Sequence, residues 1–196
     1  MSVVAVAVEP ALTQPPAQPD DRALVAATLH GEPPAFATLV ERYERPVYHL
    51  ALRTLKNPED ARDVAQETFF KAFRSLRTFR PDAKFSTWIL SITYHACCDR
   101  LARNKRYTGD ALPERADAGP TPEQQAIAHD EAARLRAAIA ALPEKYRTVI
   151  TLYHLQDRQY DEIARVLNLP IGTVKTHLFR AKERLRRLLT DNAEVR

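Results

Sequence analysis

Acids, histidines, cysteines and cations are the side chains here that could do chemistry, and their spacing decides among them. The six histidines, His30, His49, His95, His129, His154 and His177, fall in no metal-ligand pattern such as HExxH. No phosphate-cradling GxxxxGK[ST] loop and no GxSxG nucleophile turn occurs. The paired acids Asp161 and Glu162 stand at the start of a predicted helix, where capping and the helix dipole account for them. Cys97 and Cys98 are neighbours. Adjacent cysteines make a strained disulfide, and no CxxC pair points to zinc. The plain reading is a reduced, cytoplasmic protein, with a vicinal redox switch as the alternative. The sequence therefore predicts no enzyme, no cofactor and no metal.

The cations are organised differently. Lys and Arg outnumber Asp and Glu by 29 to 25, a net charge of +4. That excess is small, but it is clustered. One cluster is Arg100, Arg103, Lys105 and Arg106. The other holds Lys175, Arg180, Lys182, Arg184, Arg186 and Arg187, with Glu183 as the one acid among them. Clustered Lys and Arg mark a polyanion partner.

Helices must present these clusters. The chain has only four glycines and is rich in Ala, Leu, Arg and Glu, which predicts an all-α fold. Composition divides it into a proline-rich, disordered arm (1–20), a helical block (21–107), a flexible linker with two glycines and two prolines (108–121), and a second helical block (122–190). No apolar run reaches the roughly 18 residues that span a bilayer, so membrane insertion is not expected.

The second block ends as a helix-turn-helix. Tyr160, Ile163, Ala164 and Val166 line its first helix. Pro170 stops that helix, and a second begins near Thr173, anchored by Val174, Leu178, Ala181 and Leu185. Thr173, Lys175, Thr176, His177, Phe179, Arg180 and Lys182 are its candidate DNA contacts. Arg and Lys can bond guanine O6 and N7, and the other cations suit phosphates. This motif alone also fits a free-standing transcriptional regulator, which commonly binds as a dimer on a palindrome.

In the first block, a short helix covers 21–29 and is broken by Gly31, Pro33 and Pro34. Phe36, Leu39, Val40 and Tyr43 begin the next stripe, and Val47, Leu50, Ala51 and Leu55 continue it, with Pro46 predicted to interrupt or restart the helix. Asn57, Pro58, Glu59 and Asp60 are a strong helix start. That helix, 58–76, carries an apolar stripe of Ala61, Val64, Ala65, Phe69, Ala72, Phe73 and Leu76. Asp63, Gln66, Glu67, Phe70, Lys71 and Arg74 lie elsewhere around it. After the loop 77–84, a last helix from about Ser86 to Lys105 has Phe85, Trp88, Ile89, Ile92 and Ala96 on its inner side. Trp88 is read either as core or as a surface on which a base stacks.

Two segments of this block resemble region 2 of the extracytoplasmic-function (ECF) sigma factors of bacterial RNA polymerase. They are DARDVAQETFFKAF (60–73) and FRPDAKFSTWI (79–89). LPEKYR (142–147), YDEIA (160–164) and GTVKTHLFRA (172–181) resemble region 4 of that family. The resemblance implies a protein that binds core RNA polymerase, recognises the −35 and −10 promoter elements and assists promoter melting. It implies that Asp63, Gln66, Glu67, Phe70 and Lys71 dock on the β′ clamp coiled coil, while the second domain meets the β flap. It implies that the 79–86 loop captures a flipped base of the −10 element. Arg80, Lys84, Phe85, Trp88, Arg100, Arg103, Lys105 and Arg106 are then the −10 contacts, and the contacts of the helix-turn-helix read the −35 element. An anti-sigma factor is the implied regulator. His177 stands where the family frequently has arginine, and the 94–98 stretch where many relatives are asparagine-rich and aliphatic.

Overall fold

The computed structural model describes residues 19–108 and 126–191. Most of the arm, the linker and the expected helix start at Thr121 and Pro122 lie outside the described residues. Within those, the chain forms helices and no strand. They are α1 (Asp21–Leu29), α2 (Pro33–Leu55), α3 (Pro58–Ser75), α4 (Phe85–Thr108), α5 (Ala126–Ala141), α6 (Glu144–Ile150), α7 (Tyr160–Leu167) and α8 (Ile171–Asp191).

The first four helices pack around Leu39, Val47, Leu50, Ile89 and Leu90, all fully buried. Asn57 caps α3 as its sequence predicts, its side chain accepting from the backbone N–H of Glu59 (2.9 Å) and Asp60 (3.3 Å). Two expectations change. Helix α2 runs unbroken through Pro46, because Leu39, Tyr43, Val47 and Leu50 bury one stripe on both sides of it. On α3, Phe73 is 52% exposed while Thr68 is fully buried. Thr68 tolerates this because its hydroxyl donates to the Val64 carbonyl at 2.8 Å. Phe73 instead meets Phe36 edge-on, with ring centroids 5.0 Å apart.

The other four helices enclose Val149, Leu152, Ile163, Val166 and Val174. Between α6 and α7 the chain makes a π-helical turn, Thr151–Leu155, which no local pattern predicts. Asn168 closes α7 in the left-handed conformation (φ 51°), a geometry that Asn accepts more readily than most residues. The turn to α8 is therefore tight, as Pro170 requires.

Candidate nucleic-acid interface

Helix α8 sorts its predicted contacts by face. Val174, Leu178 and Ala181 are buried, so they fix the helix against its unit. Lys175, Thr176, Phe179 and Arg180 then form one exposed ridge, with Phe179 68% exposed. Three contacts predicted from the sequence leave that ridge. Thr173 is half-buried at the start of the helix. Lys182 projects to the flank and lies 5.2 Å over the Tyr153 ring. His177 turns inward against Tyr146, edge-on at 5.6 Å. Burial first, then the nearby charges of Lys145 and Arg180, hold the His177 pKa below its ordinary value, so the ring adds no charge at neutral pH. Arg180 hydrogen-bonds the Tyr146 phenol and, with Lys145 and Arg184 nearby, holds its pKa below the ordinary value as well.

A second surface lies between α3 and α4. A cavity of about 660 Å³ there is lined by Phe70, Lys71, Arg74, Trp88, Ile92 and His95, among others. Its walls combine aromatic faces and cations, the two features by which single-stranded nucleic acid is held. Phe70 is 61% exposed, and the Arg74 guanidinium lies 5.5 Å from its ring centre. His95 Nδ1 is 2.7 Å from the Ser91 carbonyl oxygen. A carbonyl only accepts, so Nδ1 is the donor in this contact and Nε2 is left free to face the cavity. Trp88 answers to both of its readings. It is half-buried, packs against Phe79 and Phe85 at 5.3 and 5.6 Å, and also lines the cavity.

Several region 2 residues sit differently from their expectation. Phe85 is only 2% exposed and packs with Tyr43, Phe79 and Trp88, so it holds the loop in place from within and has no free surface for DNA. Arg100 turns toward α3, where it pairs with Asp60 and reaches Asp63 at 3.5 Å. It ties α4 to α3, because the acids that begin α3 face the basic end of α4. Arg103 is half-exposed and 3.9 Å from Glu67, which also pairs with Lys71 at 2.7 Å. Lys71 first, then Arg103 and Arg100 by charge, hold the Glu67 carboxyl below its usual range against its modest burial. Arg106 is exposed, and the Lys105 side chain lies outside the described residues. In the loop, Arg80 and Asp82 pair with each other at 3.0 Å, and Lys84 reaches away to Glu162. Asp63 and Gln66 are exposed on α3, and Gln66 lines a separate groove of about 450 Å³ between α2 and α3, beside Tyr48 and Phe69. The five predicted polymerase contacts thus straddle α3 and do not share one pocket.

The cysteines are held back from redox chemistry. Burial pushes the Cys97 thiol up to about 12 and raises Cys98 too, so neither is a ready thiolate.

Two family models match the chain: Sigma-70 region 2 over residues 39–107 and Sigma-70 region 4 over residues 132–185. The ECF RNA polymerase sigma factor SigW of Bacillus subtilis is 35% identical over 172 residues, covering 82% of this chain and 92% of that protein. The chain belongs to the ECF sigma factors. The ECF sigma-E factor of Haemophilus influenzae is likewise 35% identical, over 83% of this chain and 92% of its own. Among solved structures, CnrH in complex with the cytosolic domain of CnrY matches with a TM-score of 0.66 and 28% identity, covering 87% of this chain and 97% of that one. As a sigma factor, the protein acts in transcription initiation with RNA polymerase, and its helix-turn-helix is a DNA-binding unit. The reading as a free-standing regulator is not favoured.

Sequence reasoning missed one set of residues in this sigma factor. Glu162, Arg158, Gln156 and Arg147 of the second unit reach Lys84, Ser86, Pro46 and Arg53 of the first. Nothing local marks them, because each partner lies more than 70 residues away in the chain.

Proposed function

We propose that residues 21–107 form the polymerase- and −10-binding domain of this sigma factor and residues 122–190 its −35-binding domain. In this reading, the exposed side chains of α3 (Asp63, Gln66 and Phe70, with Glu67 and Lys71 at the edge) dock on the β′ clamp coiled coil of core polymerase. Phe70 is the anchor and the surrounding charges set register. The α4 wall of that cavity, with Trp88, Ile92 and His95, takes the flipped −10 base, a better fit than the loop itself, while its α3 wall, with Phe70 and Lys71, meets the polymerase. Arg80, Arg103 and Arg106 hold neighbouring phosphates. Lys175, Thr176, Phe179 and Arg180 read the −35 duplex. No residue carries out covalent chemistry. The protein works in the cytoplasm, and an anti-sigma factor restrains it; the structural relative CnrH is likewise found in complex with a second protein, the cytosolic domain of CnrY.

The observation that carries the reading is the presence, in one chain, of an exposed basic ridge on α8 and an aromatic, cationic cavity on a second helical unit. A free-standing regulator needs only the ridge. Run-off transcription with purified core polymerase tests it. The protein is expected to direct initiation from specific sites, whereas Phe70→Ala loses at least about 2 kcal/mol of core affinity and keeps its −35 duplex binding. Absence of core-dependent initiation on every genomic template would overturn it.

A further inference from the structure

On the second unit, one aromatic ring gathers three cations. Tyr146 stands in the first turn of α6, its backbone N–H donating to the Pro143 carbonyl at 2.9 Å. The residue is 5% exposed and belongs to the buried cluster that also holds Val174, Leu178 and Ala181 of α8. Packing therefore fixes where its ring lies. The Lys145 ammonium is 5.2 Å and the Arg184 guanidinium 5.4 Å from the ring centre, and Arg180 donates to the phenol oxygen. His177 closes the edge of the ring at 5.6 Å, with the two planes 84° apart.

No acid explains this gathering. Glu183 of α8 pairs instead with Arg186 at 3.1 Å and Arg187 at 4.0 Å. Among the described residues, no carboxylate pairs with Lys145, Arg180 or Arg184. Three like charges at one place repel one another, and the aromatic face and the phenol oxygen are what offsets that repulsion. The phenol responds accordingly. The Arg180 hydrogen bond first, then the charges of Lys145, Arg180 and Arg184, lower its pKa against the opposing effect of burial.

We infer that Tyr146 is a positioning residue for base reading, its phenol holding the Arg180 guanidinium at one point on the exposed ridge of α8. A long arginine loses rotamer freedom when it binds, and one that is already held loses less. A guanidinium has five N–H donors in a planar fork, so those not turned to the phenol are left for guanine O6 and N7. Tyr146 touches no base in this role and acts through Arg180. The inference rests on the −35 reading of Arg180 above.

The test uses the full chain. Tyr146→Phe removes the phenol oxygen and keeps the ring and every charge. Fluorescence anisotropy measures binding to a −35 duplex from a promoter found by run-off transcription, and to duplexes with each base pair of that element changed in turn. Tyr146→Phe is expected to weaken the parent duplex roughly fivefold and to flatten preference at the same base pair as Arg180→Ala does. Duplexes already changed at that pair are expected to bind as they bind wild type. The slope of log K against log salt is expected to stay the same, because no cation is lost. In an Arg180→Ala background, Tyr146→Phe is expected to have no further effect. Circular dichroism verifies the fold of each variant. Nitrogen-15 relaxation of the wild type alone gives a second readout, in which the Arg180 Nε is expected to be more restricted than that of exposed Arg106. An equal loss for every duplex, an equal loss in both backgrounds, or an Arg180 as mobile as Arg106 would overturn the inference. If Arg180→Ala alters base preference and Tyr146→Phe does not, the positioning role alone falls. If Arg180→Ala leaves base preference unchanged, the −35 reading of Arg180 falls and the inference with it.

Discussion

At the scale of single residues, exposure separates the cations that can reach DNA from those that cannot. Lys175 and Arg180 are exposed on α8, Arg180 beside the Tyr146 phenol, whereas Arg100 pairs with Asp60 and Asp63. Lys175→Ala or Arg180→Ala is expected to cost about 1–3 kcal/mol at a cognate −35 duplex and to relax base preference there. If Arg187 contacts a phosphate, as proposed for the outer cations of α8, Arg187→Ala is expected to weaken every duplex alike and to lower the slope of log K against log salt by about 0.9. Titration of duplex binding at several salt concentrations separates the two classes, and equal loss of specificity from both would contradict the assignment. Glu162 carries a pH prediction. Burial pushes its carboxyl up, but the Gln159 N–H, Lys84 and the charge of Arg158 outweigh it and hold its pKa below the ordinary value. Its ionised form therefore contributes stability that is complete above the unfolded value of about 4.3 and is lost as pH falls through the lower folded value. Acid titration of wild type is expected to show this loss by circular dichroism, and Glu162→Gln to flatten it.

At the scale of elements, caps and stripes set where helices begin and which face they bury. Asn57 is the clearest case, since its side chain satisfies two N–H groups at the start of the helix that carries the proposed polymerase contacts. Asn57→Ala is expected to cost about 1 kcal/mol. Chemical denaturation measures it, and an unchanged midpoint would show that tertiary packing alone holds that end of α3. Helix α7 is only eight residues long, too short to be stable alone. Its capping box between Gln159 and Glu162, with Ile163, Val166 and Leu167 buried beneath, explains how so short a helix presents α8 at a fixed angle. Pro46 shows the limit of local rules. Its missing N–H predicts a break, yet buried neighbours on both sides keep α2 whole.

At the scale of the whole molecule, the contact between the two units makes them behave as one. A shared apolar cluster and the charged bonds across it couple their unfolding. Wild type is expected to unfold in a single calorimetric transition, and the Glu162→Gln, Arg158→Ala double variant in two. A double transition already present in wild type would mean that the units are thermodynamically independent in solution.

The sequence by itself determined the helical class, the helix-turn-helix and the family, because each depends on neighbours close in the chain. Asn57 and Pro58 start α3 whatever surrounds them, the apolar periods of 58–76 and 172–189 pick buried faces, and the ordered signatures of regions 2 and 4 name the family. It also placed Phe70 outside, since a lone aromatic off the apolar stripe has no core to enter. Tertiary structure decided which polar residues are free to act. Phe73 left its expected place because packing against Phe36, not periodicity, decides how its ring is covered, while Phe85 lies on the inner side as expected, so deeply that no surface is left for DNA. His177 turned inward because Tyr146 stands beside it. Arg100 became a structural tie because the α3 acids lie across from it. The link from Lys84 to Glu162 joins residues 78 apart in the chain, and no pattern within either segment encodes such a meeting.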